Sequence, residues 1–125
     1  MMAINGIQKI VHPWDLKPEA AIALQTKLAS RVIRKSRIRP ADIATVAGVD
    51  AGYGRNMAYA AVVVLNLTDL KILEKALASK TVTFSYVPGM LAFREGPVIL
   101  EALGKLKSPP DLLMVDGQGI AHPRR

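Results

Sequence analysis

The run "MAYAAVVVLNL", residues 57 to 67, constrains this chain more than any other stretch. Its middle, Val62-Val63-Val64-Leu65, is apolar at every position, so the spacing predicts a strand covered on both faces. β-rich runs flank it. "IATVAGVD" precedes it and ends at Asp50, with "AGYGRN" as a two-glycine loop between. "KILEKALASKTVTFS" follows after the turn "TDL", with an irregularity expected near Ala78 and Ser79. Three consecutive strands with short connections predict an antiparallel meander.

Helical patterns stand on either side. Pro18 suits a first helical turn. Ala21, Leu24, Leu28 and Val32 then share a face, which predicts an amphipathic helix over 18–35. The cations Arg31, Arg34, Lys35, Arg37 and Arg39 cluster at its end, before Pro40. Such a cluster suits the negative end of a helix dipole or a phosphate backbone, and for any single residue the solvated helix end is the better reading. Downstream, Val98, Ile99, Ala102, Leu103 and Leu106 form a second apolar helix face. Pro97 belongs in a first turn, which predicts a start near Arg94. Ser108, Pro109 and Pro110 stop this helix, and "DLLMVDGQG" reads as a fourth strand closed by Asp116-Gly117. A strand reached through a helix pairs most economically in parallel, by a right-handed crossover. The expected fold class is therefore α/β: an N-terminal helix, three antiparallel strands, a helix and a parallel fourth strand.

At 125 residues the chain makes one domain, 1–125, and half of it is hydrophobic, so it folds rather than remaining disordered. No apolar run is long enough to span a bilayer and the first residues do not read as a signal peptide, so no membrane association is expected. The chain has no cysteine, which removes disulfides, thiolate metal sites and a cysteine nucleophile, and agrees with a cytoplasmic location. Seventeen Lys and Arg against ten Asp and Glu give a net charge of +7, which mildly favours a polyanionic partner.

Within this basic chain the acids that follow apolar strands stand out. Asp50 ends "TVAGVD" and Asp116 ends "LLMVD". If the first and fourth strands are parallel neighbours, both carboxylates emerge at the end of the sheet where α/β proteins place their ligands. Glu95, expected at the entrance of the connecting helix, reaches the same end. Three converging carboxylates repel one another unless a cation sits among them, and an all-oxygen set suits Mg²⁺ or Mn²⁺. Such a cation can activate water and stabilise the leaving oxygen of a phosphodiester. Any one of these acids, taken singly, is an ordinary turn or helix-dipole residue; the topology that gathers three of them carries the reading. His122, six residues after Asp116, can fold back to this edge. His12 reads as structural and Trp14 as a core anchor.

The strings "HPWDL", "VAGVD", "YVPGMLAFREGP" and "PDLLMVDGQGIAHPR" closely resemble the endonuclease V family, from about His12 to Arg125. The resemblance implies an RNase H-like fold and a metal-dependent cut 3′ to deaminated adenine, inosine, in DNA or RNA, as a repair function. It implies that Asp50, Glu95 and Asp116 hold Mg²⁺, with Mn²⁺ as substitute, and that His122 lies beside them as a catalytic group. It further implies that Tyr86, Val87 and Pro88 form a wedge at the lesion, and that Gly89, Met90 and Leu91, with Gly117 to Ile120, line a pocket for the flipped base. An aromatic face can replace a lost stacking partner, and flipping costs only about a few kcal/mol. Ser85 stands where the family's wedge carries a proline. The family also continues past Arg125 with further helices, a strand, a lysine and a late aspartate. The expectation is thus a C-terminally incomplete domain whose open fourth-strand edge and uncovered sheet face favour self-association. The alternative to an active nuclease is a catalytically weak or inactive nucleic-acid-binding fragment.

Overall fold

A computed structural model describes residues 12–82 and 88–124. Helix α1 (Pro18–Ala29) leads into a single 3-10 turn. Strands β1 (Thr45–Gly54), β2 (Met57–Asn66) and β3 (Ile72–Thr81) form the expected meander. Helix α2 (Leu91–Gly104) then crosses to strand β4 (Leu112–Val115), which pairs with β1 in parallel. The sheet order is β3-β2-β1-β4.

One face of this sheet is packed. Ala47 and Val49, Ala60, Val62 and Val64, and Ala76 and Ala78 alternate onto it and meet Val98, Ala102, Leu103 and Leu106 of α2. Small residues on the strands let the helix lie close, and Val62, Val98 and Leu103 are among the most deeply buried side chains. The opposite face carries Tyr59, Ile72, Leu77, Leu112 and Met114, all exposed; Leu77 keeps 70% of its surface in solvent and Met114 64%. The expectation that β2 is covered on both faces therefore fails at Val63 and Leu65, which are only half-buried while Val62 and Val64 are buried.

A smaller cluster ties α1 to the first turns of α2. Ala21, Met90 and Phe93 pack with Trp14, Leu16 and Leu24. Trp14 meets Phe93 edge-on at 6.0 Å between ring centroids, and His12 lies 4.5 Å from Trp14. Both residues thus have the structural roles expected of them. Gly96 is the seat of Trp14, because a Cβ there would run into the indole ring.

Three element boundaries and one strand irregularity differ from the sequence reading. α1 stops at Ala29, not 35: the Ser30 hydroxyl donates to the Lys27 carbonyl at 2.8 Å, and Val32 is exposed. Such side-chain bonds compete with the helix ladder. β1 does not end at Asp50 but runs on to Gly54, so most of the supposed loop is strand. A tight turn at Arg55-Asn56, both at positive φ, closes the hairpin, a conformation that asparagine tolerates. The irregularity in the β2–β3 pair lies between Val64 and Leu65, where Leu73 is the extra residue, and not at Ala78. α2 begins at Leu91, which puts Pro97 beyond the first turn and Glu95 one turn inside the helix. Pro97 therefore adds no donor to the ladder there, and burial of Phe93 and Val98 on either side holds the helix together.

Candidate metal centre

The register of β1 and β4 decides where the acids meet. Asp111 begins it: its Oδ2 accepts the N–H groups of Ala44 and Thr45 at 2.9 and 3.1 Å, and its own N–H donates to the Thr45 hydroxyl at 2.9 Å. These bonds hold the Asp111 carboxyl below its ordinary range. From this lock the strands run in step, Val46 beside Leu112 through Val49 beside Val115. The next step places Asp50 beside Asp116. Both are exposed.

Glu95 arrives from α2 and is half-buried. Partial burial pushes its carboxyl up from the usual value; the Tyr53 hydroxyl, donating to it, pulls the other way, and the charges of Asp50 and Asp116 push it up again. Glu95 on α2 thus lies within electrostatic reach of Asp50 on β1 and of Asp116 just past β4. The Tyr53 phenol is pushed up to about 12, first by burial and then by the Glu95 charge.

All-oxygen donors in mutual repulsion suit a hard divalent cation in their chemistry. One of them, however, is turned to a partner within the protein: an Asp50 oxygen accepts the Ala51 N–H at 2.9 Å. Among the described residues no three Asp, Glu or His side chains close around a single point in this arrangement. A cation shared by the three would have to draw them together.

His122 belongs to a neighbouring network. Its Nδ1 accepts the Arg124 N–H at 3.1 Å, so the proton sits on Nε2, which donates to the Gly89 carbonyl at 2.7 Å. Gln25 Nε2 and Arg124 Nη2 donate to the same carbonyl at 2.8 and 3.0 Å, and Arg124 Nε donates to Gln25 Oε1 at 2.6 Å. Gly89 has φ +82°, and a Cβ there would press on Arg124 and His122, so only glycine fits. His122 is thereby bound to the turn before α2 rather than to the carboxylates. Pro88 and Leu91 are exposed on either side of this turn, and Gly117 is open, with no atom near the place of a Cβ. Tyr86 and Val87 lie outside the described residues. Of the cationic cluster, Arg39 is engaged, gripping Asp42 through two nitrogens at 2.9 and 3.1 Å.

The sequence reading did not single out Tyr53, Asp111 or Gln25. The signal for Asp111 was its place directly before the fourth strand, and for Tyr53 its spacing of three from Asp50.

Comparison with known proteins joins these residues to a family. The Endonuclease V family model matches residues 26–125. The Endonuclease V of Roseiflexus castenholzii is 49% identical over 114 residues, covering 91% of this chain and 50% of that protein. The crystal structure of Endonuclease V from Streptomyces avermitilis superposes with a TM-score of 0.83 at 45% identity, over 90% of this chain and 50% of that one. A Ciona intestinalis Endonuclease V, solved with a 24mer DNA containing an inosine followed by a ribo-adenosine, shares the fold with a TM-score of 0.73 at 24% identity, over 82% of this chain and 46% of that one. The chain belongs to the Endonuclease V family, and it spans about half the length of the curated relatives it matches.

Proposed function

We propose that this chain carries the metal-binding half of an endonuclease V-type nuclease, which hydrolyses a phosphodiester 3′ to inosine in DNA or RNA as a step of repair. The observation that carries the reading is the juxtaposition of Asp50, Glu95 and Asp116 across β1, α2 and β4. Mg²⁺, or Mn²⁺ in its place, would be held by these three carboxylates, and when bound would supply an activated water and a counter-charge for the leaving oxygen. The chain's own part is to gather the acids, through the register lock at Asp111 and the packing of α2, and to present them on an exposed edge that a nucleic acid can reach. The net charge of +7 favours a phosphate backbone there. The turn at Pro88-Gly89, pinned by Gln25, His122 and Arg124, would carry the wedge residues Tyr86, Val87 and Pro88, with Leu91 and Gly117 beside the base. His122 would act through this turn. Inosine as substrate rests on the family motifs and on the complex of the Ciona protein. The lack of cysteine accords with a cytoplasmic enzyme. Among the described residues no helix is long and apolar enough to cross a membrane.

The test is cleavage of a labelled inosine strand by the 125-residue chain, with Mg²⁺ and with a chelator. Metal-dependent cutting next to inosine supports the reading. Tight binding of the inosine strand with no cutting under any metal would favour the second reading, a nucleic-acid-binding fragment without catalysis. The open sheet face supports a further element of the proposal: two copies associate through it. Light scattering should then show a species above 13.5 kDa, reduced to the monomer by Leu77→Lys with Met114→Lys; a wild-type monomer at high concentration would refute it.

A further inference from the structure

Three side-chain donors from two distant parts of the chain converge on one backbone carbonyl, that of Gly89. Gln25 Nε2 reaches it from α1 at 2.8 Å; His122 Nε2 and Arg124 Nη2 reach it from the segment after β4 at 2.7 and 3.0 Å. The ladder of α2 begins one residue later, where the Met90 carbonyl accepts the Phe93 N–H at 3.1 Å, so the Gly89 carbonyl is held by side chains. Ala21, one turn before Gln25, is fully buried in the cluster with Met90 and Phe93, which brings α1 close enough for a glutamine to span the gap. Gln25 Oε1 in turn accepts from Arg124 Nε at 2.6 Å. Arginine only donates, so the amide oxygen must face Arg124 and the amide NH₂ the carbonyl. Glutamate could not donate here and lysine could not accept. Gln25 thus binds the turn and also sets the guanidinium that binds it.

We propose that Gln25 is a positioning residue for base discrimination: its two hydrogen bonds set the turn at Pro88-Gly89, so that the contacts of this turn with a base keep one geometry. The inference rests on the reading above, in which this turn faces the altered base, and it does not depend on a metal. Phosphate contacts supply affinity without reading the base, whereas contacts to base edges supply discrimination. Loss of Gln25 therefore lowers the preference for inosine and leaves the affinity for an ordinary strand. The fold loses little, because a carbonyl has two acceptor sites and His122 and Arg124 still donate to this one.

The experiment measures binding of the 125-residue chain to a labelled single strand with one inosine and to the same strand with adenine in its place. Chelator is present, so that neither strand is cut, and melting temperatures are taken on the same samples. The readout is the ratio of the two dissociation constants. Wild type should prefer inosine. Gln25→Leu, which removes both bonds, should lower that preference about 2- to 10-fold, the worth of a hydrogen bond, with adenine-strand affinity and melting temperature close to wild type. Gln25→Glu, which keeps the acceptor for Arg124 and removes the donor to Gly89, should lower it as well. If wild type shows no preference, the reading of the turn and the inference both fall. If wild type prefers inosine and either variant keeps its ratio, the inference is overturned and the reading stands. If both variants weaken the two strands alike, or lose the preference only with a clear drop in melting temperature, Gln25 is structural and the inference is overturned as well.

Discussion

At the start of the β1–β4 pair, Asp111 accepts two backbone N–H groups and its carboxyl is held low. Just past the far end of the same pair, Asp50 and Asp116 follow Val49 and Val115, both within electrostatic reach of Glu95, and Glu95 is pushed high. The strands, the register and the residue types are nearly the same; the number of donors is what differs. An acid supplied with N–H groups stabilises the fold as an anion, whereas acids set facing one another hold a repulsion that a cation would relieve. Position after an apolar strand does not separate a structural from a functional carboxylate, but its hydrogen-bond partners do.

The comparison breaks most visibly under loss of an acid at the far end. Asp116→Asn or Asp50→Asn should lower metal-dependent cleavage of an inosine strand by more than about a hundredfold, with no fall in melting temperature, because neither anion is needed by the fold. A parallel collapse of stability would make the far end structural too.

Asp111→Asn should do the reverse at the near end. The mutant would melt lower than wild type at neutral pH and cut at a rate limited only by how well the register survives. The folded carboxyl lies below its ordinary value of 3.8, so its contribution is present above that value and is lost as pH falls through the folded one. The gap in melting temperature between the two proteins should therefore close on acidification. A gap that persists in acid would mean that the packing of the side chain, and not its charge, sets the register.

The smallest effect is expected at Glu95, with opposite sign. Its folded carboxyl is raised above the ordinary 4.5, so its ionised form is disfavoured by the fold: stability is full below that value and falls as pH rises through the folded one. Glu95→Gln, without metal, should match wild type in acid and melt slightly higher at neutral pH. A mutant that melts lower at neutral pH would show that the hydrogen bond to Tyr53 outweighs the burial and the repulsion.

Much of this was legible in the sequence because it follows from order. The meander, the crossover and the parallel pairing of β4 with β1 need only apolar runs and short connections. What was hidden depends on contacts between distant residues. Gly52 and Gly54 read as loop, yet pairing with Tyr59 and Met57 keeps them in β1, and that extension carries Tyr53 to Glu95. Pro97 argued for a later helix start; the cover that Trp14 lays over Gly96, and the burial of Phe93, hold the earlier one. The clamp on Gly89 joins residues 25, 122 and 124, and no local pattern announces it. β2 read as doubly buried because its own pattern says so, while the described residues cover only one of its faces.

The central question is whether these three carboxylates gather round one cation. Crystals of the chain soaked in Mn²⁺ and measured at the manganese absorption edge answer this directly. The prediction is a single anomalous peak within coordination distance of Asp50, Glu95 and Asp116, with the Asp50 carboxylate turned away from the Ala51 N–H to reach it. A map with no peak there, or with manganese bound only at other acids, would contradict the account.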